Sequence, residues 1–336
     1  MAGFAYTKAL IEDMVFERVV PGVNYALLKD GRIFRATIGD DRWLPAPEQL
    51  RPDEVYDLAS LTKVLGTLNV ALQLREEDRL NFNEPLTQFV PEFGDSRVRL
   101  FHLLTHTSGI KGWIPHRNSL NGDQLMHAIV GLPVTKEFGK LMRYADTNFI
   151  LLGLALERIL GQPIQDLVQD RVLAKEPLQA TSYHPQKEDC VPTAFVEGQI
   201  LQGTVHDPKG RQLGARCESA GLFSNMPDLL KLAEGYLGIA PENLALSQQT
   251  VADLYDVKTP RGVQPRSWGW NLLFDPRWHY PIIYHTGFTG TMIIFDRVQK
   301  SGLVLLTNRV YPNGHNQLFI AMRSRIIKAF LKENDE

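Results

Sequence analysis

Residues 268–307 read WGWNLLFDPRWHYPIIYHTGFTGTMIIFDRVQKSGLVLLT, and this stretch decides the fold class. It holds four runs rich in aliphatic, aromatic and β-branched residues: Trp268 to Phe274, Ile282 to His285, Thr291 to Phe295 and Leu303 to Thr307. Asp275-Pro276 and Lys300-Ser301-Gly302 punctuate them, and successive strands joined by short turns predict an antiparallel sheet. On the C-terminal side a last helix is expected, from Asn316 to Leu331. At the other end of the chain, Val23 to Leu28 and Ile33 to Thr37 flank Lys29-Asp30-Gly31-Arg32, and Asp-Gly between two β-rich runs predicts a hairpin. Ahead of it, Lys8, Glu12, Asp13 and Glu17 interrupt Ala9, Leu10, Ile11, Met14, Val15 and Phe16, a pattern of an amphipathic helix and not of a cleavable leader.

Between these ends the periodicity changes. From Ser60 to Glu77 the apolar residues Leu61, Val64, Leu65, Leu68, Ala71, Leu72 and Leu74 recur at three- and four-residue steps, which predicts an amphipathic helix with Ser60 at its start. Further helices are expected over Arg99 to Leu104, Phe149 to Leu160, Ile164 to Val172 and Asp228 to Leu237. The chain therefore reads as α/β (α+β): an antiparallel sheet flanked by N- and C-terminal helices, with a large, mainly helical insertion. Residues 1–60 and 255–336 would form the sheet domain and residues 61–254 the helical one, with the active site at their junction.

Composition narrows the function. With 44% hydrophobic and 22% charged residues and a formal net charge of -2, the chain is of ordinary globular type and offers no basic arm for a nucleic acid. No stretch approaches the roughly 18 apolar residues of a membrane span, so the sequence as written predicts a cytoplasmic protein. Cys190 and Cys217 lack the spacing of a metal site and read as free thiols. Without an HExxH, a phosphate-binding glycine loop or a dinucleotide fingerprint, no metal and no cofactor is expected.

The chemistry begins at Ser60-Leu61-Thr62-Lys63. Serine is a weak nucleophile that needs a base within hydrogen-bond reach, and a lysine three residues on shares its face at a helix start. The free N–H groups there favour an oxyanion beside the serine. Alone the motif is weak, since roughly one chance match is expected in a chain of this length. Two further segments follow in order: Tyr144-Ala145-Asp146-Thr147-Asn148, and His285-Thr286-Gly287-Phe288 in the strand region.

With these three segments the chain resembles the serine β-lactamase and penicillin-binding superfamily, and more narrowly its class C β-lactamase-like branch, which also holds D-alanyl-D-alanine carboxypeptidases and carboxylesterases. The likeness extends to Pro21-Gly22-Val23, residues 100–109 (LFHLLTHTSG), Phe149 to Gly153 and Ala220 to Ser224. It implies a β-lactamase/transpeptidase-like fold with Ser60 as the acylated nucleophile, Lys63 as its proton partner and Tyr144 as the proton shuttle. It further implies that the backbone N–H groups of Ser60 and Phe288 form the oxyanion hole, and that Asp146, His285, Thr286 and Gly287 hold the substrate.

Two departures bear on specificity. Asp146 stands where β-lactamases of the branch carry an Asn that donates to a substrate carbonyl, and an ionised carboxylate only accepts. His285 replaces a fixed lysine cation with a ring that is largely neutral near pH 7. The expected function is thus a serine hydrolase working through an acyl-enzyme on a small-molecule ester or a D-amino-acid amide or peptide, carboxylesterase-like, with weak or no β-lactam turnover. The alternatives are a D-alanyl-D-alanine carboxypeptidase and an acylatable sensing or binding module without turnover. The oligomeric state is not legible. Other residues take plainer readings: His102 and His106 as structural histidines, Ser224 and Asn225 as a helix N-cap, Trp268, Trp270 and Trp278 as strand aromatics of the core with a wall of the acyl pocket as the alternative, and His206-Asp207 as a loop.

Overall fold

In the computed structural model, which describes residues 3–334 except Gly112, Asn313 and His315, the Asp-Gly turn forms as expected. Asp30 and Gly31 take φ values of 53° and 72°, the pair of left-handed residues that lets a two-residue turn follow the twist of its strands. The turn joins β1 (Gly22–Lys29) to β2 (Arg32–Arg42), with Lys29 opposite Arg32. β3 (Glu48–Gln49) adds an edge, and β4 (Asn271–Phe274), β5 (Pro281–Thr286), β6 (Met292–Asp296) and β7 (Ser301–Thr307) complete a seven-stranded antiparallel sheet in the order β3-β2-β1-β7-β6-β5-β4. The helices that frame it are α1 (Ala5–Phe16), α2 (Leu68–Glu76), α3 (Asp146–Leu160), α4 (Met226–Tyr236) and α5 (Gln317–Asn334). Among the described residues no helix is long and apolar enough to cross a membrane, and both cysteines are free and buried.

The central strands are buried on both faces, and successive side chains divide between two cores because they alternate across a strand. Val23, Tyr25 and Leu27 of β1, Met292 and Ile294 of β6, and Leu303 and Leu305 of β7 pack with α1 and α5. Their neighbours Ala26, Leu28, Ile293, Phe295, Val304 and Leu306 join the large core built on α2, α3 and α4.

Three sequence expectations are corrected. The helix after Ser60 is not amphipathic in effect: Thr67, Asn69 and Gln73, which would face water, are 0%, 1% and 5% exposed. The interior meets their polar groups, with Thr67 Oγ1 donating to Glu218 O, Asn69 Nδ2 to Leu65 O and Gln73 Nε2 to Arg171 O and Ala245 O. The first late strand begins at Asn271, not Trp268, because Gly269 at φ 70° turns the chain and its N–H donates to Leu104 O. Of the three tryptophans Trp270 is buried and Trp268 half-buried against Phe82, but Trp278 is exposed beside the Asp275 turn, outside the core.

Candidate active site

Ser60 lies at the end of a segment that the fold pins from several sides. Tyr56–Asp57 pairs antiparallel with Phe223–Ser224, Thr289 Oγ1 donates to Asp57 O at 2.7 Å, and Thr291 Oγ1 donates to Leu58 O at 3.2 Å. Asp57, buried, accepts from the Ala59 N–H at 2.8 Å and the His206 N–H at 2.7 Å, and burial pushes its carboxyl up to about 6. Between these anchors Ala59 adopts φ 47°, a left-handed conformation that a non-glycine residue keeps only where its surroundings over-determine it. After Ser60, the turn Lys63–Thr67 is π-helical before α2 proper begins, a local widening often found at functional sites.

Lys63 is wholly buried, and its ammonium is saturated. Nζ donates to Ser60 Oγ at 3.0 Å and to Ser219 O at 2.8 Å, and lies 2.8 Å from Asp146 Oδ1. Burial works against its charge, but the Asp146 carboxylate and then Tyr144 outweigh it and raise the lysine above its ordinary value. For Asp146 burial also opposes charge, and Lys63 and Lys209 reverse it, holding the carboxyl well below the usual range. Tyr144, half-exposed in the cleft, sits with its ring centroid 5.4 Å from Lys63 Nζ and 5.5 Å from the guanidinium of Arg266.

On the opposite wall, β4 pairs with β5 only as far as Tyr284, so the strand edge at His285 and Thr286 opens on the cleft. Gly287 follows because nothing larger fits: a Cβ there would stand 2.0 Å from Thr291 Oγ1 and 2.6 Å from Leu58 O. Among the described residues neither the Ser60 nor the Phe288 N–H is taken by a protein acceptor. His285 is buried, with Nε2 unpartnered among the described residues. Burial, then Arg266 and Lys63, keep it well below the ordinary histidine value, and the ring is neutral. The structure thus brings Ser60, Lys63, Tyr144, Asp146 and the His285–Phe288 segment to one cleft, with Ser60 and Tyr144 lining both a cavity of about 450 Å³ and one of about 320 Å³.

Sequence reasoning missed most of the cations here. Lys209 lies 3.1 Å from Asp146 Oδ2, Arg117 lines the larger cavity, and Arg266, Arg309 and Arg323 line the smaller. Among the described residues none of these last three meets a carboxylate, and burial lowers all three, Arg266 to about 10. Arg266 and Arg309 are nine-tenths buried or more with Nε unpartnered. His106, read as structural, packs tilted against the Tyr144 ring, centroids 4.6 Å apart, while its Nδ1 accepts from the Ala145 N–H and meets Asn148 Nδ2, so it orients the start of α3. His102 caps its own helix by accepting from the Arg99 N–H. Asn225 caps α4, as expected, and Asp207 proves to cap the short helix Pro208–Leu213.

Comparison with known proteins agrees with this geometry. A family model described as Beta-lactamase matches residues 7–323. An N-acetylmuramyl-L-alanine amidase of Bacillus subtilis (strain 168) is 27% identical, over 92% of this chain and 82% of its own. A putative D-alanyl-D-alanine carboxypeptidase of Escherichia coli (strain K12) is 26% identical, over 86% and 78%. Among solved structures, a beta-lactamase/D-alanine carboxypeptidase from Pseudomonas syringae superposes with a TM-score of 0.78 over 98% of this chain and 99% of that one; at 18% identity the likeness is one of fold.

Proposed function

The chain belongs to the beta-lactamase family and is a serine hydrolase, and from that premise we propose that it cleaves amides or peptides of D-amino-acid type whose leaving group carries a carboxylate. The observation that carries this reading is the cavity of about 320 Å³ beside Ser60 and Tyr144, lined by Arg266, Arg309 and Arg323. None of the three meets a carboxylate among the described residues, and Arg266 and Arg309 each leave a buried Nε donor that an anion would satisfy. They supply the charge that His285 lacks. The D-alanyl-D-alanine carboxypeptidase name of one relative agrees with this class, and the amidase name of another agrees only as far as cleavage of an amide.

In the proposed cycle Ser60 Oγ attacks the carbonyl carbon while its proton passes to the Lys63–Tyr144 pair. The oxyanion forms against the N–H groups of Ser60 and Phe288, and Tyr144 returns the proton to the leaving nitrogen. Water, deprotonated by the same pair, then releases the acyl group and restores Ser60. Because Asp146 keeps Lys63 charged at rest, the pair takes up the Ser60 proton only after it has released one of its own, from Lys63 or from Tyr144, to solvent.

A peptide ending in D-Ala-D-Ala and its C-terminal amide, tested alongside a chromogenic acetate ester and a cephalosporin, separate the readings. The free acid is expected to exceed the amide at least tenfold in kcat/KM, with the difference reduced in Arg309→Met and all turnover lost in Ser60→Ala. Equal rates on acid and amide would overturn the anion preference. Ester hydrolysis is the second reading, favoured by the neutral His285, and it predicts the acetate ester as the best substrate. A burst of one product per Ser60 with no steady state would indicate acylation without turnover.

A further inference from the structure

The Asp146 carboxylate is shared. Oδ1 lies 2.8 Å from Lys63 Nζ, and Oδ2 lies 3.1 Å from Lys209 Nζ. Lys209 is held in turn by Asp207, whose carboxylate accepts the Lys209 backbone N–H and its ammonium, both at 2.9 Å. Lys63, Asp146, Lys209 and Asp207 therefore form a row of alternating charges whose last three members line the cavity of about 450 Å³. Both lysines are largely shielded, with 0% and 13% of their side chains exposed.

We propose that Lys209 is a positioning residue for the reaction: by holding the outer oxygen of Asp146 it limits the grip of that carboxylate on Lys63, and so sets how readily the group around Ser60 gives up its proton. The inference rests on Ser60 being the acylated residue. An unshared carboxylate at 2.8 Å in a buried site would fix the ammonium firmly, because a charge pair strengthens as water is excluded. A second cation on the same carboxylate offsets that grip, which an uncharged amide at position 146 would not require.

The other groups facing the row do not replace Lys209. Around Lys63 stand Tyr144, His106, His285 and Arg266; the two histidines are neutral, held low first by burial and then by the neighbouring cations, and Arg266 contacts Gly269 O and Asn271 rather than Asp146. Around Lys209 and Asp207 stand Arg117, His206, Arg211 and Asp57. His206 is lowered by burial, Arg211 donates to the Val205 and His206 carbonyls, and Asp57 is engaged by two backbone N–H groups.

The test is the rate of Ser60 labelling by a fluorophosphonate from pH 5 to 10, which requires no knowledge of the substrate. Removing the Lys209 charge favours the protonated form of Lys63 and of Tyr144 alike. In Lys209→Met the acid limb is therefore expected to move up by about one pH unit, a roughly tenfold slower labelling at a pH on that limb, with the plateau retained. Lys209→Arg should restore the wild-type limb. Asp207→Asn, which keeps a capping side chain, should move the limb downward and tests the same row with opposite sign should the methionine variant fail to fold. An unchanged or lowered limb in Lys209→Met, or a raised one in Asp207→Asn, would overturn the proposal. Labelling undiminished in Ser60→Ala would overturn the assignment of Ser60 itself, and the proposal with it.

Discussion

At Asp146 one carboxylate stands between two ammonium groups, and its removal has a definite sign. Burial lowers Lys63 and the Asp146 charge is the main influence that outweighs it, so Asp146→Asn leaves burial opposed by Tyr144 alone and the lysine should lose its proton at lower pH. The acid limb of kcat/KM is expected to fall by at least about one unit. A mechanism in which Tyr144 is the base and Lys63 must stay protonated loses activity earlier on the alkaline side as well, whereas a lysine-base mechanism does not, so the complete pH profile distinguishes them. An acid limb that stays in place with the fold intact by circular dichroism would put Asp146 outside the proton network. Ser60, Lys63, Tyr144 and residues 285–288 are legible in the sequence because each belongs to a short motif whose spacing the local backbone sets. Lys209, Arg266, Arg309 and Arg323 are not, because a lone cation in a polar segment reads as solvated and only tertiary folding carries it to the cleft.

Among the elements, the helix after Ser60 shows most clearly what a sequence pattern hides. Its apolar spacing is visible, but the burial of Thr67 and Gln73 depends on acceptors from residues 171, 218 and 245, far away in the chain. Its π-helical turn needs outside support too. Tyr236 of α4 directs its one hydroxyl proton between two buried acceptors, Val64 O at 3.3 Å and Asn69 Oδ1 at 3.2 Å. Tyr236→Phe keeps the ring stacked on Phe295 and removes only the hydroxyl. It should cost about 1–3 kcal/mol, the penalty for leaving a buried acceptor unpaired, read as a lower urea midpoint at unchanged slope. Because the same turn carries Lys63, slower Ser60 labelling should accompany the loss. An unchanged midpoint would show that the turn is held without the tyrosine. The hairpin needed no such help: Asp30-Gly31 determines its own geometry, which explains why that element is legible to the residue while α2 is legible only in outline.

For the molecule as a whole, the interior carries carboxyl groups that burial keeps protonated, and they set how stability depends on pH. Among the described residues Glu176 is buried with Oε2 unpartnered and the Ala245 N–H alone on Oε1, and burial pushes it up to about 8 from an ordinary 4.5. Glu218 lies buried against Gly153 with both oxygens unpartnered among the described residues, and it too is raised well above its ordinary value, again by burial first. The folded state retains these protons at pH values where the unfolded chain has released them. The contribution of Glu176 is therefore fully present below about 4.5, falls by about 1.4 kcal/mol per pH unit as pH rises toward about 8, and then levels off. Glu176→Gln isolates this contribution, because the amide is uncharged at every pH and its oxygen can still accept from the Ala245 N–H, while Glu218 is the same in both proteins and cancels. The variant should match the wild type near pH 4.5 and become progressively more stable than it, by about 2 kcal/mol or more at pH 9, measured as the difference in urea unfolding free energy at pH 4.5, 7 and 9. A difference that does not change with pH would mean that Glu176 is ionised inside the folded protein, and that some other group holds its charge.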